Sequence, residues 1–168
     1  WMNGQYIRKL NPDHLQSAFE SAVTAEVKSS LDEKYSAETQ SEIFNLLQDT
    51  VSVLPEINTQ LQLFIESDTD YHTAILNLDL SIVSPDVFRL FKAALSSVDV
   101  VDKAFVLATI DAIMAETGLG KGKVMRPIRM LCTGRGSGPD LGITLTLLGR
   151  DTLLTRLEAL DERNILSA

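Results

Sequence analysis

Apolar residues recur along this chain every three or four positions, the period of one helix face, and seldom every two. Asn11-Pro12-Asp13 has the form of a helix start, with a capping side chain, a proline at the first helical position and an acid in the first turn. Leu15, Ala18, Phe19, Ala22 and Val23 then share one face. Ser36 is placed to cap the next helix, whose stripe is Ile43, Leu46 and Leu47. Pro55 is expected in the first turn of a new helix or at a kink of the old one, and Leu61, Phe64 and Ile65 close that segment. Glu66 to Asp70 reads as a polar, acidic loop.

The rhythm then resumes. Ser84-Pro85-Asp86 repeats the cap-plus-proline start ahead of Val87, Phe88, Phe91, Ala94 and Leu95. Asp99 or Asp102 opens a long helix through Phe105, Val106, Ile110, Ile113 and Met114, which Gly118 ends as a left-handed cap. Val124 to Leu131 reads as a short buried helix, Thr133 to Pro139 as a loop, and Asp140–Leu148 and Asp151–Leu160 as two last helices parted by Gly149. Leu76 to Val83 could pass for a strand, but nothing nearby offers it a partner. The fold class expected is all-α, as two small packed helical domains, 1–82 and 83–168, joined near Ser81 to Pro85. A single continuous helical bundle is the alternative.

Composition narrows this picture. The length suits one ordinary domain or two small ones. Cys132 is the single cysteine and cannot form an internal disulfide, and only His14 and His72 could join it at a metal, so no metal site is expected. The richest apolar stretch, Val98 to Ala115, is interrupted by Asp99, Asp102, Lys103 and Asp111, so no membrane span is expected. The opening Trp1-Met2 suggests a piece of a longer protein; a leftover residue ahead of a natural Met2 is the other reading.

The net charge of −8 argues against a nonspecific nucleic-acid binder. The charge is unevenly placed, however. Residues 1–120 hold 7 basic and 18 acidic side chains, whereas 121–156 hold 7 basic and 2 acidic. A local basic zone on an acidic body can still meet phosphate, because salt limits the reach of the acidic part.

Catalytic motifs are missing. Gly118 to Lys123 has glycines and lysines but not the spacing of a phosphate-cradling loop, and reads as one helix ending and another beginning. The two histidines sit in polar surroundings with no nucleophile pattern, and the acids are scattered. No catalytic residue, metal or cofactor is assigned to this chain.

Three stretches resemble one family. Trp1-Met2-Asn3-Gly4-Gln5-Tyr6-Ile7-Arg8 is similar to the segment with which glutamyl-tRNA synthetases leave their catalytic half. Gly122 to Arg135 resembles their Gly-Lys-x-x-x-Pro-Leu-Arg-x-Ala-Leu-Thr-Gly segment, with Leu131-Cys132 departing from Ala-Leu. Gly138-Pro139-Asp140-Leu141, Leu147-Leu148-Gly149-Arg150 and Arg156-Leu157 resemble their closing signature. The resemblance implies the non-catalytic, C-terminal anticodon-binding region of a class I aminoacyl-tRNA synthetase of bacterial or organellar type. The ATP and Mg2+ chemistry would lie upstream, in a domain whose two signature motifs are not in this chain. The implied partner is tRNA, for glutamate and by extension glutamine. DNA and membrane are not expected as partners, and a monomer in the cytoplasm or an organelle interior is.

An anticodon loop presents unstacked bases and phosphates, which arginine planes can both stack on and hydrogen-bond. Arg126 and Arg129 lie three residues apart and can face one side of a helix, with Pro127 between them expected to favour its start. Arg129 matches the family arginine that contacts anticodon bases; a salt bridge to the acidic body is the competing reading. The loop from Arg135 through Gly138 and Pro139 to Leu141 matches the family loop that touches the anticodon through its backbone, against the alternative of a plain helix connection. Lys121, Lys123 and Arg150 are phosphate contacts or a solvated basic face. Where some members carry a basic residue that discriminates the third anticodon base, this chain has Leu47-Gln48-Asp49-Thr50. Gln48 or Thr50 can hydrogen-bond a base but offer no guanidinium fork, so relaxed discrimination is expected. The competing functional class is a helical protein-interaction module with no tRNA role.

Overall fold

A computed structural model describes residues 4–162; Trp1-Met2-Asn3, part of the first family-like stretch, lies outside them. Among the described residues every regular element is helical. The chain divides into two compact units, 1–66 and 67–168.

The first unit contains α1 (Gly4–Ile7), α2 (Pro12–Ala22), α3 (Ala25–Lys34), α4 (Ala37–Leu47) and α5 (Ile57–Ile65), the last entered through a 3-10 turn at Leu54–Glu56 that carries Pro55. The caps expected at Asn11 and Ser36 are in place. The Asn11 side chain accepts the His14 N–H at 2.9 Å, and Ser36 accepts that of Thr39 at 3.3 Å. Packing of α2 on α4 and α3 on α5 buries Leu15, Phe19, Leu31, Ile43, Phe44, Leu47, Leu61 and Phe64. Phe19 meets Phe44 edge to face, with ring centroids 5.5 Å apart.

The second unit contains α6 (Asp68–Leu76), a 3-10 turn (Leu80–Ile82), α7 (Pro85–Ser96), α8 (Lys103–Thr117), α9 (Lys121–Thr133), α10 (Leu141–Leu148) and α11 (Arg150–Glu162). Asp102 caps α8 by accepting the Phe105 N–H at 2.7 Å, and Gly118 ends it at φ 69°. Helix α9 is the hub of this unit, packing against α6, α7, α8, α10 and α11.

Four expectations need correction. The acidic loop at Glu66 to Asp70 is a helix start: Ser67 accepts the Asp70 N–H at 3.2 Å, and Asp70 accepts the Ser67 N–H at 3.3 Å. This reciprocal capping box draws polar residues into a helix end. The division between units falls at Glu66/Ser67 and not near Ser81 to Pro85, because Tyr71 and Ile75 are buried with the second unit, where α6 packs on α9. His72, expected at the surface, is half-buried, its ring 5.3 Å from that of Tyr71. Pro127 lies inside α9 and not at its start, since the helix already begins at Lys121. There its ring cannot donate to the Lys123 carbonyl.

The C-terminal end of α9 is held by side chains from two other helices. The last carbonyls of a helix lack intrahelical donors. Here the Gly134 N–H donates to Met130 O at 2.9 Å, the buried Tyr71 hydroxyl to Leu131 O, and the Arg156 guanidinium to Cys132 O at 2.6 Å. Tyr71→Phe should therefore leave a buried carbonyl without that donor and lower stability by about 1–3 kcal/mol. Urea unfolding of the two chains would measure it, and equal midpoints would refute this assignment.

Candidate nucleic-acid interface

Helix α9 carries most of the expected site residues. Val124, Ile128 and Leu131 turn into the core, which leaves Arg126 exposed and Arg129 half-buried on the outer side. Burial pushes the Arg129 guanidinium down from its ordinary value, and the Asp140 carboxylate works in the opposite direction. Over the physiological range it remains a cation.

The loop after α9 is built around that guanidinium. Gly134 ends the helix at φ 64°, and a Cβ there would lie 3.1 Å from the Ala74 Cβ, so both backbone and space call for glycine. Thr133, almost fully buried, donates its hydroxyl to Arg129 O at 2.7 Å and accepts the Arg135 N–H at 3.2 Å. One hydroxyl thus ties together the backbones of two expected readers. Gly138 is exposed, and a Cβ on it would stand 3.0 Å from Arg129 Nη1, so the guanidinium lies against backbone that carries no side chain. Pro139 and Leu141 are buried and anchor the far side of the loop.

Asp140 closes the loop as the cap of α10. Its carboxylate accepts the Ile143 N–H at 2.9 Å and pairs with Lys103 at 3.3 Å. Partial burial works against the charged form, but the Ile143 N–H, Lys103 and Arg129 together hold the carboxyl below its usual range. Arg150 is half-buried, pairs with Asp151 at 3.3 Å and begins α11. Lys121 and Lys123 are exposed in the first turn of α9.

The structure does not gather all expected residues into this loop. Gln48 and Thr50 belong to the first unit. Gln48 Nε2 donates to the Ile7 and Leu10 carbonyls at 2.8 and 3.0 Å, and Thr50 donates to Leu47 O at 2.7 Å. Their donors are spent on their own unit's backbone.

Arg156 is a residue whose role the sequence reading missed. It was counted among the basic zone, yet it is buried, with its guanidinium 4.4 Å from the Tyr71 ring centroid and bonded to Cys132 O. Its signal was its register: Leu153, Arg156, Leu157 and Leu160 fall on one helical face, and the leucines are core. Cys132 beside it is also buried. Burial raises the thiol to about 12, with Arg156 opposing, so it is inert as a nucleophile.

This surface brings together exposed cations, one half-buried guanidinium and backbone bare of a side chain. A family model described as the anticodon binding domain matches residues 10–160, and the chain belongs to that family. It is 32% identical over 165 residues to a glutamate–tRNA ligase of Bacillus licheniformis, covering 94% of this chain and 33% of that protein. It is also 32% identical to one of Geobacillus stearothermophilus, over 97% of this chain and 34% of the relative. The chain thus spans about a third of the length of the curated relatives it matches. A solved glutamate–tRNA ligase from Elizabethkingia meningosepticum shares the fold with a TM-score of 0.67 at 21% identity, over 95% of this chain and 31% of that one.

Asp140→Asn keeps a capping side chain and removes the charge, which gives a clean pH test. A carboxyl whose folded pKa is depressed contributes stability above its ordinary value and loses that contribution as pH falls through the folded value. Between about pH 4 and pH 2 the parent chain should therefore lose more thermal stability than Asp140→Asn. Parallel midpoints across that range would refute the role given to Asp140.

Proposed function

We propose that this chain is the anticodon-reading part of a glutamate–tRNA ligase, working where tRNA is charged, in the cytoplasm or an organelle interior. Its Arg126, Arg129 and the loop from Arg135 through Gly138 to Leu141 hold unstacked anticodon bases. The observation that carries the reading is the placement of Arg129, whose fork lies over the side-chain-free backbone of Gly138. A base edge approaching there meets guanidinium donors and peptide groups together, the combination by which single-stranded RNA is read. Lys121 and Lys123 would position the backbone without specifying sequence. Glutamate activation with ATP and Mg2+ would belong to the rest of the ligase, outside this chain.

Arg129→Ala and Arg135→Ala should each weaken tRNA binding by about 1–3 kcal/mol, on the scale of one bidentate base contact. A filter-binding titration at fixed salt reads this directly. Undiminished binding by both variants would sink the anticodon reading and favour a protein-interaction module.

The same proposal extends to specificity. Gln48 and Thr50 stand where some relatives place a basic discriminator, and their donors are committed to Ile7, Leu10 and Leu47. Without a fork at this position the full-length enzyme is expected to charge both glutamate and glutamine tRNAs. Aminoacylation of the two transcripts side by side tests it, and exclusive use of glutamate tRNA would overturn it.

A further inference from the structure

Helix α1 is a single turn of four residues, too short to stand alone in water. It is fastened to one distant stretch of its own unit, Gln48 to Ser52. The Gln48 amide donates to Ile7 O at 2.8 Å and to Leu10 O at 3.0 Å, so it spans the turn by which α1 leads into α2. Arg8 Nη2 donates to Asp49 O at 3.3 Å. Gly4 lies so close to the same stretch that a Cβ on it would stand 3.1 Å from the Ser52 Cα. The Ile7 side chain, at the end of α1, is fully buried.

The segment seated there is the one that would join this chain to the rest of the proposed ligase. Gly4 to Arg8 belongs to the stretch that resembles the exit from the catalytic half, and the chain spans about a third of the length of its curated relatives. Side-chain amides have two N–H groups to give. Gln48 gives them to two backbone carbonyls that lie 41 and 38 residues away in the chain. An apolar side chain of the same length would hold α1 by packing alone and leave the Leu10 carbonyl without this donor. Hydrogen bonds also fix direction, which packing does only loosely.

We propose that Gln48 is a positioning residue for the charging reaction: through α1 it fixes the direction in which the catalytic part of the ligase joins the anticodon-binding part. A tRNA held by its anticodon must present its far end to the reacting atoms. Misplacement by about 1 Å there costs about 10²-fold in rate, and a tilt of α1 grows with distance along the connection. Gln48 acts through the Ile7 and Leu10 carbonyls and touches no base. The inference rests on the anticodon reading, because it needs a catalytic part upstream of α1.

The full-length ligase carrying Gln48→Met tests this, since methionine keeps the length of the side chain and removes its donors. With ligase saturating and in excess over a glutamate tRNA transcript, the single-turnover rate constant of charging should fall about tenfold. A fraction of unfolded ligase would not change that rate constant at saturation, so the readout is separate from stability. The present chain carrying Gln48→Met should bind the transcript as tightly as the parent chain. Gly4→Val, which pushes α1 away from Ser52 and leaves the Gln48 donors in place, should slow charging in the same way. An unchanged rate constant in either variant would overturn the positioning role and leave the anticodon reading standing. Weaker tRNA binding by the Gln48→Met chain would equally overturn it, because Gln48 would then meet RNA directly. Failure of both Arg129→Ala and Arg135→Ala to weaken binding would remove the anticodon reading itself.

Discussion

The geometry of the site depends on how one helix ends. Helix α9 stops at Thr133, and its last carbonyls would be buried without donors if nothing reached them. Tyr71 from α6, Arg156 from α11 and the Gly134 N–H supply those donors. Arg156 adds a positive charge at the negative end of the helix dipole and stacks on Tyr71, which offsets the cost of burying it. With that end fixed, the direction in which the chain leaves α9 is fixed too, and so is the path of the loop.

The outer arginines follow from the same frame. Arg129 lies just before the last turn of α9 and Arg135 two residues beyond its end, and Thr133 joins their backbones through one hydroxyl. Gly138 comes close to Arg129 because the loop must return to Asp140, which caps α10 and pairs with Lys103 of α8. The Arg129 guanidinium is already partly dehydrated, which lowers what the proposed contact with a base would cost. The acidic character of the rest of the chain does not prevent this, since screening confines charge effects to about 10 Å at ordinary salt.

Most of the helical pattern was legible where its determinants are local. The caps at Asn11, Ser36 and Asp102 and the left-handed Gly118 are signals carried by one or a few adjacent residues, and each is found. Ser67 to Asp70 was misread because acidity was weighed and the reciprocal spacing of a capping box was not. Pro127 was misplaced because proline usually marks a helix start, whereas here α9 continues through it. The unit boundary depended on where Tyr71 is buried, a tertiary fact. In the site, the three-residue spacing of Arg126 and Arg129 was visible in the sequence. The closeness of Gly138 to Arg129 was not, because it depends on a loop path that returns nine residues later. Gln48 looked available because its bonds to the Ile7 and Leu10 carbonyls span 41 and 38 residues.

The side chains that close the end of α9 come from far apart in the chain. Tyr71 stands 60 residues before the carbonyl it holds, and Arg156 stands 24 residues after its own. A chain growing on a ribosome at about 5–20 residues per second has synthesised Cys132 roughly 1–5 s before Arg156 exists. During that interval α9 has its arginines but not its final fastening. The proposed recognition surface is therefore among the last parts of the second unit to be set. A polypeptide cut short just before Arg156 would retain every expected RNA contact and lack the part that aims them.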